Sequence, residues 1–445
     1  MKTNSTAMAL LGALACVGLS GAAHAAEWDS GDAGLGQFIA NAQATYILQR
    51  KPGFGAEYSG PLSLNKRRET SYSFSGTGFF GWRPVADTEV FFNPEVVQGK
   101  PLSKLAGLGG LTNGEMQKVG GTHPTWYRAR AFVRQTFGLG GEQETLDSDQ
   151  NQFGRTVDKR RVVVTLGNFA ANDVFDDNGV AHDPRTQFLN WSFLTYGAWD
   201  FPADARGYTV GGAIEWIEHD WTTRVGRFEL PREANGLALS AQIFKQFGDV
   251  IEIEHRHEIG GRPGALRVLG FRNSTVMGSF SDASDQAASG AMPDVTAVRR
   301  RQDKRGGGVT VEQELADDVS ALVRASRSDG RSEVYAFAEI DASIAAALQV
   351  GGARWGREDD RLGLGLARNS ISSAHAAYLR AGGLGYFVGD GGLDAGPERI
   401  VEAYYSAAVL PGVALSFDAQ HIDNPAYNRA RGPANALALR LHAQW

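Results

Sequence analysis

Residues 434–445 restrict the fold more than any other stretch. Odd positions read Asn435, Leu437, Leu439, Leu441, Ala443 and Trp445; even positions read Ala436, Ala438, Arg440, His442 and Gln444. Strand side chains point to opposite faces at a period of two, so one face is apolar and ends in an aromatic while the other is largely polar. In a soluble sandwich the apolar face meets a second sheet. In an outer-membrane barrel it meets lipid, and the polar face lines a water-filled lumen. A terminal strand that closes on Trp445 favours the barrel.

The same alternation recurs from near Leu35 onward, broken by Gly, Asp, Asn and Pro turn signals. Ile251, Ile253 and Ile259 oppose Glu252, Glu254, Arg256 and Glu258. Val413, Leu415, Phe417 and Ala419 oppose Ser416, Asp418 and Gln420. Val401, Ala403, Tyr405 and Val409 oppose Glu402, Tyr404 and Ser406. Val309, Val311, Gln313 and Leu315 oppose Thr310, Glu312 and Glu314, and Val319, Ala321, Val323 and Ala325 oppose Ser320 and Arg324. Between roughly sixteen and nineteen strands are counted in this way. The expected fold is all-β, a transmembrane antiparallel barrel whose strand number is even, sixteen or eighteen in this range, with short periplasmic turns and longer extracellular loops. Asp341 to Gln349 is alanine-rich and reads locally as helix. The most loop-like stretch is Gly278 to Arg305, and Lys100 to Pro124 is a second irregular one.

Met1-Lys2, the apolar run Ala7 to Leu19 and Ala23-His24-Ala25 match a secretory signal. The expected organisation is therefore a cleaved signal peptide at 1–25 and a single barrel domain at 26–445. Cys16, the one cysteine, lies inside the signal, so thiolate metal sites, disulfides and cysteine nucleophiles drop out of the mature chain. Without Lys2 the mature chain carries 43 basic and 50 acidic residues, a net charge near −7, with no basic run beyond Arg299-Arg300-Arg301, which argues against nucleic acid. A mean hydropathy of −0.26, with no apolar run of about 18 residues after the signal, excludes helical spans and is compatible with strands.

The central stretch concentrates polar side chains: Asp173, Asp176, Asp177, Asn178, Asp183, Arg185 and Asn190. An EF-hand phase with Gly179 at position six puts Val174 at position one and Arg185 at position twelve, where oxygens are needed, so that motif fails. Three uses remain for these side chains: an irregular calcium loop, caps that accept backbone hydrogen bonds, or a segment folded against an inner wall that presents Asp and Arg185 to solute hydroxyls. Arginine dominates the basic residues, nine Lys against 35 Arg. Its planar fork suits the reading of neutral hydroxylated solutes. Strand parity turns Arg224, Glu252, Glu254, Arg256, Arg324, Glu402 and Arg440 toward the lumen; a solvated wall charge is the commoner role for each. Trp191, Trp199, Trp216, Trp221 and Trp355 are assigned to the lipid-interface girdles, with sugar stacking as the alternative. His255 and His257 share the face of Ile251 and Ile253, which points to a rim rather than a metal. No metal or cofactor is expected, and neither a Gly-x-Ser-x-Gly elbow nor a His-Glu-x-x-His helix is present.

Several motifs resemble the carbohydrate-selective porins of Gram-negative outer membranes: Gly167-Asn168-Phe169, Asp173-Val174-Phe175-Asp176-Asp177-Asn178 and His182 to Trp191. Phe91-Phe92-Asn93-Pro94-Glu95, Leu105-Ala106-Gly107-Leu108, Arg128 to Phe137, Asn424 to Asn428 and Arg431-Gly432-Pro433 extend the likeness over nearly the whole mature chain. Gly179-Val180-Ala181-His182 departs from the family, where an aromatic and an asparagine are frequent. The resemblance implies a sixteen-stranded barrel, a monomer rather than a trimer, that passes small saccharides by diffusion without turnover. Its surroundings would be outer-membrane lipid and lipopolysaccharide, with assembly machinery reading the Trp445 strand. A non-selective or anion-preferring pore is the alternative.

Overall fold

The computed structural model describes residues 26–29, 36–287 and 290–445. The signal-peptide reading of 1–25, including Cys16, lies outside the described residues. Sixteen strands form one closed antiparallel sheet: β1 (Gln37–Lys51), β2 (Glu69–Val85), β3 (Thr88–Lys100), β4 (Thr125–Gly138), β5 (Arg161–Phe169), β6 (Thr209–Glu218), β7 (Trp221–Glu229), β8 (Phe247–Ile259), β9 (Arg262–Met277), β10 (Arg300–Ala316), β11 (Val319–Ser328), β12 (Ala342–Gly351), β13 (Arg361–Ser370), β14 (Glu398–Leu410), β15 (Val413–Asp423) and β16 (Ala434–Gln444). Each strand pairs with its sequence neighbour. Closure comes from β16 on β1, in a register running from Leu437↔Arg50 to Gln444↔Gln43. Ala26–Asp29 adds a short antiparallel piece along the start of β1. A closed sheet leaves no edge, so every strand finds its backbone partners without water. None of the described helices is long and apolar enough to cross a membrane.

Parity decides the two faces as the residue pattern requires. Val323, Ile344, Leu366 and Phe417 are each more than half exposed on the outer surface, while Arg324, Glu402, Asp418 and Arg440 on the opposite parity are buried inside. In a membrane the outer set meets acyl chains. Strand ends differ. At one end five connections have two residues each, at 86–87, 219–220, 260–261, 317–318 and 411–412. Gly260 and Gly261 both take positive φ, 63° and 77°, as a tight hairpin turn needs. At the other end the connections are long; the longest, 170–208 and 371–397, carry α1 (Trp191–Leu194) and α3 (Ser373–Arg380), and 278–299 carries α2 (Phe280–Gln286).

Four expectations are corrected. Asp341 to Gln349 is not helix: all but its first residue lie in β12, because burial between two strands overrides alanine's helical propensity. The irregular Gly278 to Arg305 stretch ends earlier, since β10 begins at Arg300. Trp191 and Trp199 are not in a girdle; they are buried inside the barrel on connection 170–208, whereas Trp216, Trp221 and Trp355 lie outside. The turn end is not uniformly short, because 352–360 and above all 139–160 interrupt it.

A charged side chain at the middle of the outer face should cost about 2–4 kcal/mol, against about 0–1 at the rim. Leu364→Arg on β13 is expected to show the larger loss and Ser370→Arg the smaller, measured by chemical unfolding from lipid vesicles; equal losses would contradict the membrane-facing assignment.

Candidate pore constriction

Connection 170–208 turns inward, and its backbone is held by side chains of the wall. The Asp176 amide donates to Glu252 on β8 at 2.9 Å, and that of Gly179 to Glu312 on β10 at 2.9 Å. The Leu189 and Asn190 amides donate to the two oxygens of Glu402 on β14, the second at 3.0 Å. Arginines take the carbonyls: Arg324 on β11 donates to Phe193 O and Ala181 O, and Arg440 on β16 to Pro184 O and Gln187 O. Each backbone group that lacks a ladder partner here thereby gains a charged one.

Several of the polar residues singled out in the sequence therefore serve the loop itself. Asp176 is fully buried, 3.0 Å from Arg324 Nη2, and accepts from Thr195 Oγ1 at 2.8 Å. Asn178 accepts from the Val180 and Ala181 amides, and Asn190 caps α1 through the Ser192 amide. These are the caps that Asp and Asn commonly form. Arg224 bridges Glu215, Glu252 and Glu254 at 2.9 Å each, and Arg267 continues the ladder to Glu312. Arg256 pairs with Glu254 near the turn end and is largely exposed. Asp177 is exposed without a role in this framework. Among the described residues no cluster of three or more metal-ligating side chains occurs.

What the loop leaves open faces β2–β5. Arg185, still 17% exposed, lies 3.2 Å from Glu115, 3.8 Å from Glu95 and 3.6 Å from Asp183. Arg130 holds Asp173 through two bonds of 2.6 and 2.7 Å. Arg130 stacks over Tyr208 and Arg206 over Tyr127, and the two tyrosine rings sit 5.9 Å apart. Both tyrosine hydroxyls donate to Glu95. Burial would raise the carboxyls of Asp173 and Asp183, but Arg130 and Arg185 with nearby backbone amides outweigh it and hold both below the usual range. Both stay ionised at neutral pH. Glu95, Glu115, Tyr127, Arg130, Arg206 and Tyr208 were not among the expected site residues. Glu95 shares the inward parity of Glu89 and Asn93 on β3, a signal that Phe91 on the same face obscures.

Above this site the loops are tied together. Lys118 donates to Ala336 O and Phe337 O, at 2.7 and 2.9 Å, and to Asn235, and its ammonium lies over the rings of Trp191, Tyr386 and Phe387. His375 on α3 lies 3.0 Å from Asp341 and 3.4 Å from Glu339, stacked on Phe280. Burial alone would lower its pKa, but the two carboxylates raise it to about 9.

The model of the carbohydrate-selective porin, OprB family, matches residues 80–445. Among solved structures, the high-pH form of Pseudomonas putida OprB aligns with a TM-score of 0.69 at 16% identity, covering 92% of this chain and 94% of that one. The low-pH form of Pseudomonas putida OprB aligns with a TM-score of 0.51 at 13% identity, over 94% and 98% of the two chains. No curated protein sequence matches this chain.

Two outcomes follow from the anchoring. Asp176→Ala strands the Arg324 charge, a change that costs about 3–5 kcal/mol where a buried pair is broken. The barrel should still assemble while single-channel current becomes noisy as the loop detaches; a quiet trace would show that Asp176 does not secure it. Because the folded pKa of His375 lies above its ordinary value, its clasp contributes fully below about pH 6.5, declines as pH rises and is lost above about 9. Proteolysis of connection 371–397 should accelerate across that window, and His375→Gln should abolish the pH dependence.

Proposed function

Because this chain belongs to the carbohydrate-selective porin, OprB family, channel proteins of the outer membrane, we propose that it passes small uncharged saccharides by diffusion through the constriction around Arg185. The long connections are then extracellular and the short turns periplasmic. The observation that carries the reading is the chemistry around that constriction. Donors of Arg185, Arg130 and Arg206 alternate with carboxylates of Glu95, Glu115, Asp173 and Asp183, beside the stacked faces of Tyr127 and Tyr208. Paired forks and carboxylates match vicinal hydroxyls, and an aromatic face suits the C–H surface of a sugar ring. No oxidation, hydrolysis or group transfer is assigned to these residues.

An anion-preferring pore fits less well. Three arginines meet four carboxylates at the constriction, so the local field does not favour anions. Flux also sets the strength of any site. A millimolar site, about −4 kcal/mol, allows release on the timescale of diffusion, whereas a tight one would hold its cargo.

Liposome swelling with a panel of mono- and disaccharides, alongside chloride and gluconate salts, tests the proposal. Neutral sugars should pass and compete with ion current at millimolar concentration. Arg185→Ala should change sugar flux several-fold, a size in keeping with a net contribution of about 0.5–1.5 kcal/mol from an exchanged hydrogen bond, with the barrel still folded. Sugar flux that is unaltered in this variant, or swelling that follows anion charge alone, would reject the assignment.

A further inference from the structure

Connection 139–160 is unlike every other connection at the turn end. It spans 22 residues where five of its neighbours use two, and it forms its own hairpin from Gln143–Leu146 and Arg155–Asp158. The tip does not hang below the barrel. Asn151 and Asn93 exchange two side-chain hydrogen bonds of 3.0 and 3.1 Å, and Gln150 Nε2 donates to Gln43 Oε1 at 2.9 Å. Arg134 Nη1 donates to Asn151 O at 2.9 Å, and Asn41 donates to Asp149 O. Asn93 is the sixth residue of β3, so the tip has climbed about 17 Å along the strand at about 3.4 Å per residue. Glu95 of the constriction is two residues further on, about 7 Å away.

The hairpin is fixed in that position. Phe153 is 1% exposed, packed on the ring of Phe91 at 5.9 Å with the Arg83 guanidinium 5.1 Å from its face. Arg155 lies 3.4 Å from Glu89 and donates to Thr136 Oγ1 at 2.7 Å, while Arg161 of the wall holds Glu144 at 2.6 Å. Its wall is that of β1 to β5, whereas the backbone of connection 170–208 is anchored to β8, β10, β11, β14 and β16. The two inward elements thus enter from opposite ends and approach each other at β3 and β4, where connection 170–208 brings Arg185 to Glu95 and Asp173 to Arg130.

We propose that this hairpin forms a second constriction on the periplasmic side, an amide-lined subsite for uncharged hydroxylated solutes presented by Gln150 and Asn151, which the buried Gln43 and Asn93 hold in place. Carboxamides present a donor and an acceptor with no net charge, the complement of a sugar hydroxyl, which is also donor and acceptor. A charged solute loses part of its hydration there, while the nearby arginines are already paired with Glu89. The assignment of the solute class rests on the saccharide reading above; the existence of a constriction does not.

Two variants separate these claims in planar bilayers and liposome swelling. In the first, residues 139–160 are replaced by a two-residue Asn-Gly turn, the length of the turns in the neighbouring hairpins. Its ion conductance should rise at least about 1.5-fold, and disaccharide flux should approach that of monosaccharides, as a wider exit requires. In the second, Asn151→Asp keeps the hairpin and adds charge; cation-over-anion permeability should rise about two- to fivefold while neutral sugar flux falls. Heat-modifiable migration reports folding, and if the shortened variant does not assemble, Asn151→Asp decides the matter alone. Wild-type conductance and selectivity in a folded variant would overturn the second constriction while sugar flux through the native channel still upheld the saccharide reading. A native channel that passes ions but no sugar would remove the solute class assigned to the amides.

Discussion

A backbone that enters a barrel must find hydrogen-bond partners that the sheet can no longer supply, and that requirement organises the lumen. Connection 170–208 is too long for any of its amides to be covered by a neighbouring strand along its whole course. Wall carboxylates take its N–H groups, and wall guanidinium groups take its carbonyls. The same device holds connections 101–124 and 424–433, where Glu398 accepts from the Gly109, Gly110 and Ala426 amides at 2.9–3.3 Å. Hydrogen bonds to charged groups contribute about 1.5–3 kcal/mol each, so they offset part of the cost of ordering the loop, about 1–2 kcal/mol per residue, and its buried aromatic side chains supply the rest. Inner-wall charge in this protein is in large part structural mortar.

That accounting changes what the charges around the pore can be asked to do. A buried ion pair is weak evidence for net stability, but one that also satisfies loop backbone fixes the loop in a single place. Glu252 serves both Arg224 and the Asp176 amide, so the β7–β8 wall and the loop share one network. Asp200 binds Lys304 at 3.0 Å and accepts the Tyr335, Ala336 and Phe337 amides, tying two extracellular connections to β10. Glu339 accepts the Phe387 and Val388 amides in the same manner. The vestibule is in this sense one cross-linked body, with Lys118 at the point where five connections meet.

Strand parity carried most of the fold. Ile251 against Glu252, or Leu439 against Arg440, assigned each side chain to lipid or lumen from a period of two; repeating that assignment counted only roughly sixteen to nineteen strands, and the resemblance to the porins singled out sixteen. Depth was not legible in the same way. Period-two logic says that Arg324 points inward but not that a loop lies on top of it, since the loop arrives from residues more than a hundred positions away. Trp191 and Trp199 were given to the girdle for the same reason: on an unordered connection, composition cannot distinguish a ring at the bilayer rim from one packed on Phe337 or Phe175. The aromatic and arginine stack of Tyr127, Arg130, Arg206 and Tyr208 escaped because its members come from two segments far apart in the chain, neither with an internal pattern that points to the other. Hairpin 139–160 escaped because its short strands read like two more turns of the barrel.

The groups that remain free to meet a solute share one property, which is that each already has a partner. Arg185 lies among Glu95, Glu115 and Asp183; Arg130 is bonded to Asp173; Asn151 is bonded to the buried Asn93. A passing hydroxyl does not fill an empty socket here but exchanges one hydrogen bond for another of similar strength. The net gain of such an exchange is small, of the order of the 0.5–1.5 kcal/mol that separates a typical protein hydrogen bond from its competitor in water. Recognition is then spread over several weak exchanges along the passage instead of being concentrated in one deep well. That is the energetic profile a diffusion channel requires, since a solute held by uncompensated charges would enter readily and leave slowly. Pre-pairing also keeps the constriction rigid when no solute is present, so the geometry that discriminates among sugars does not have to be assembled by the sugar itself.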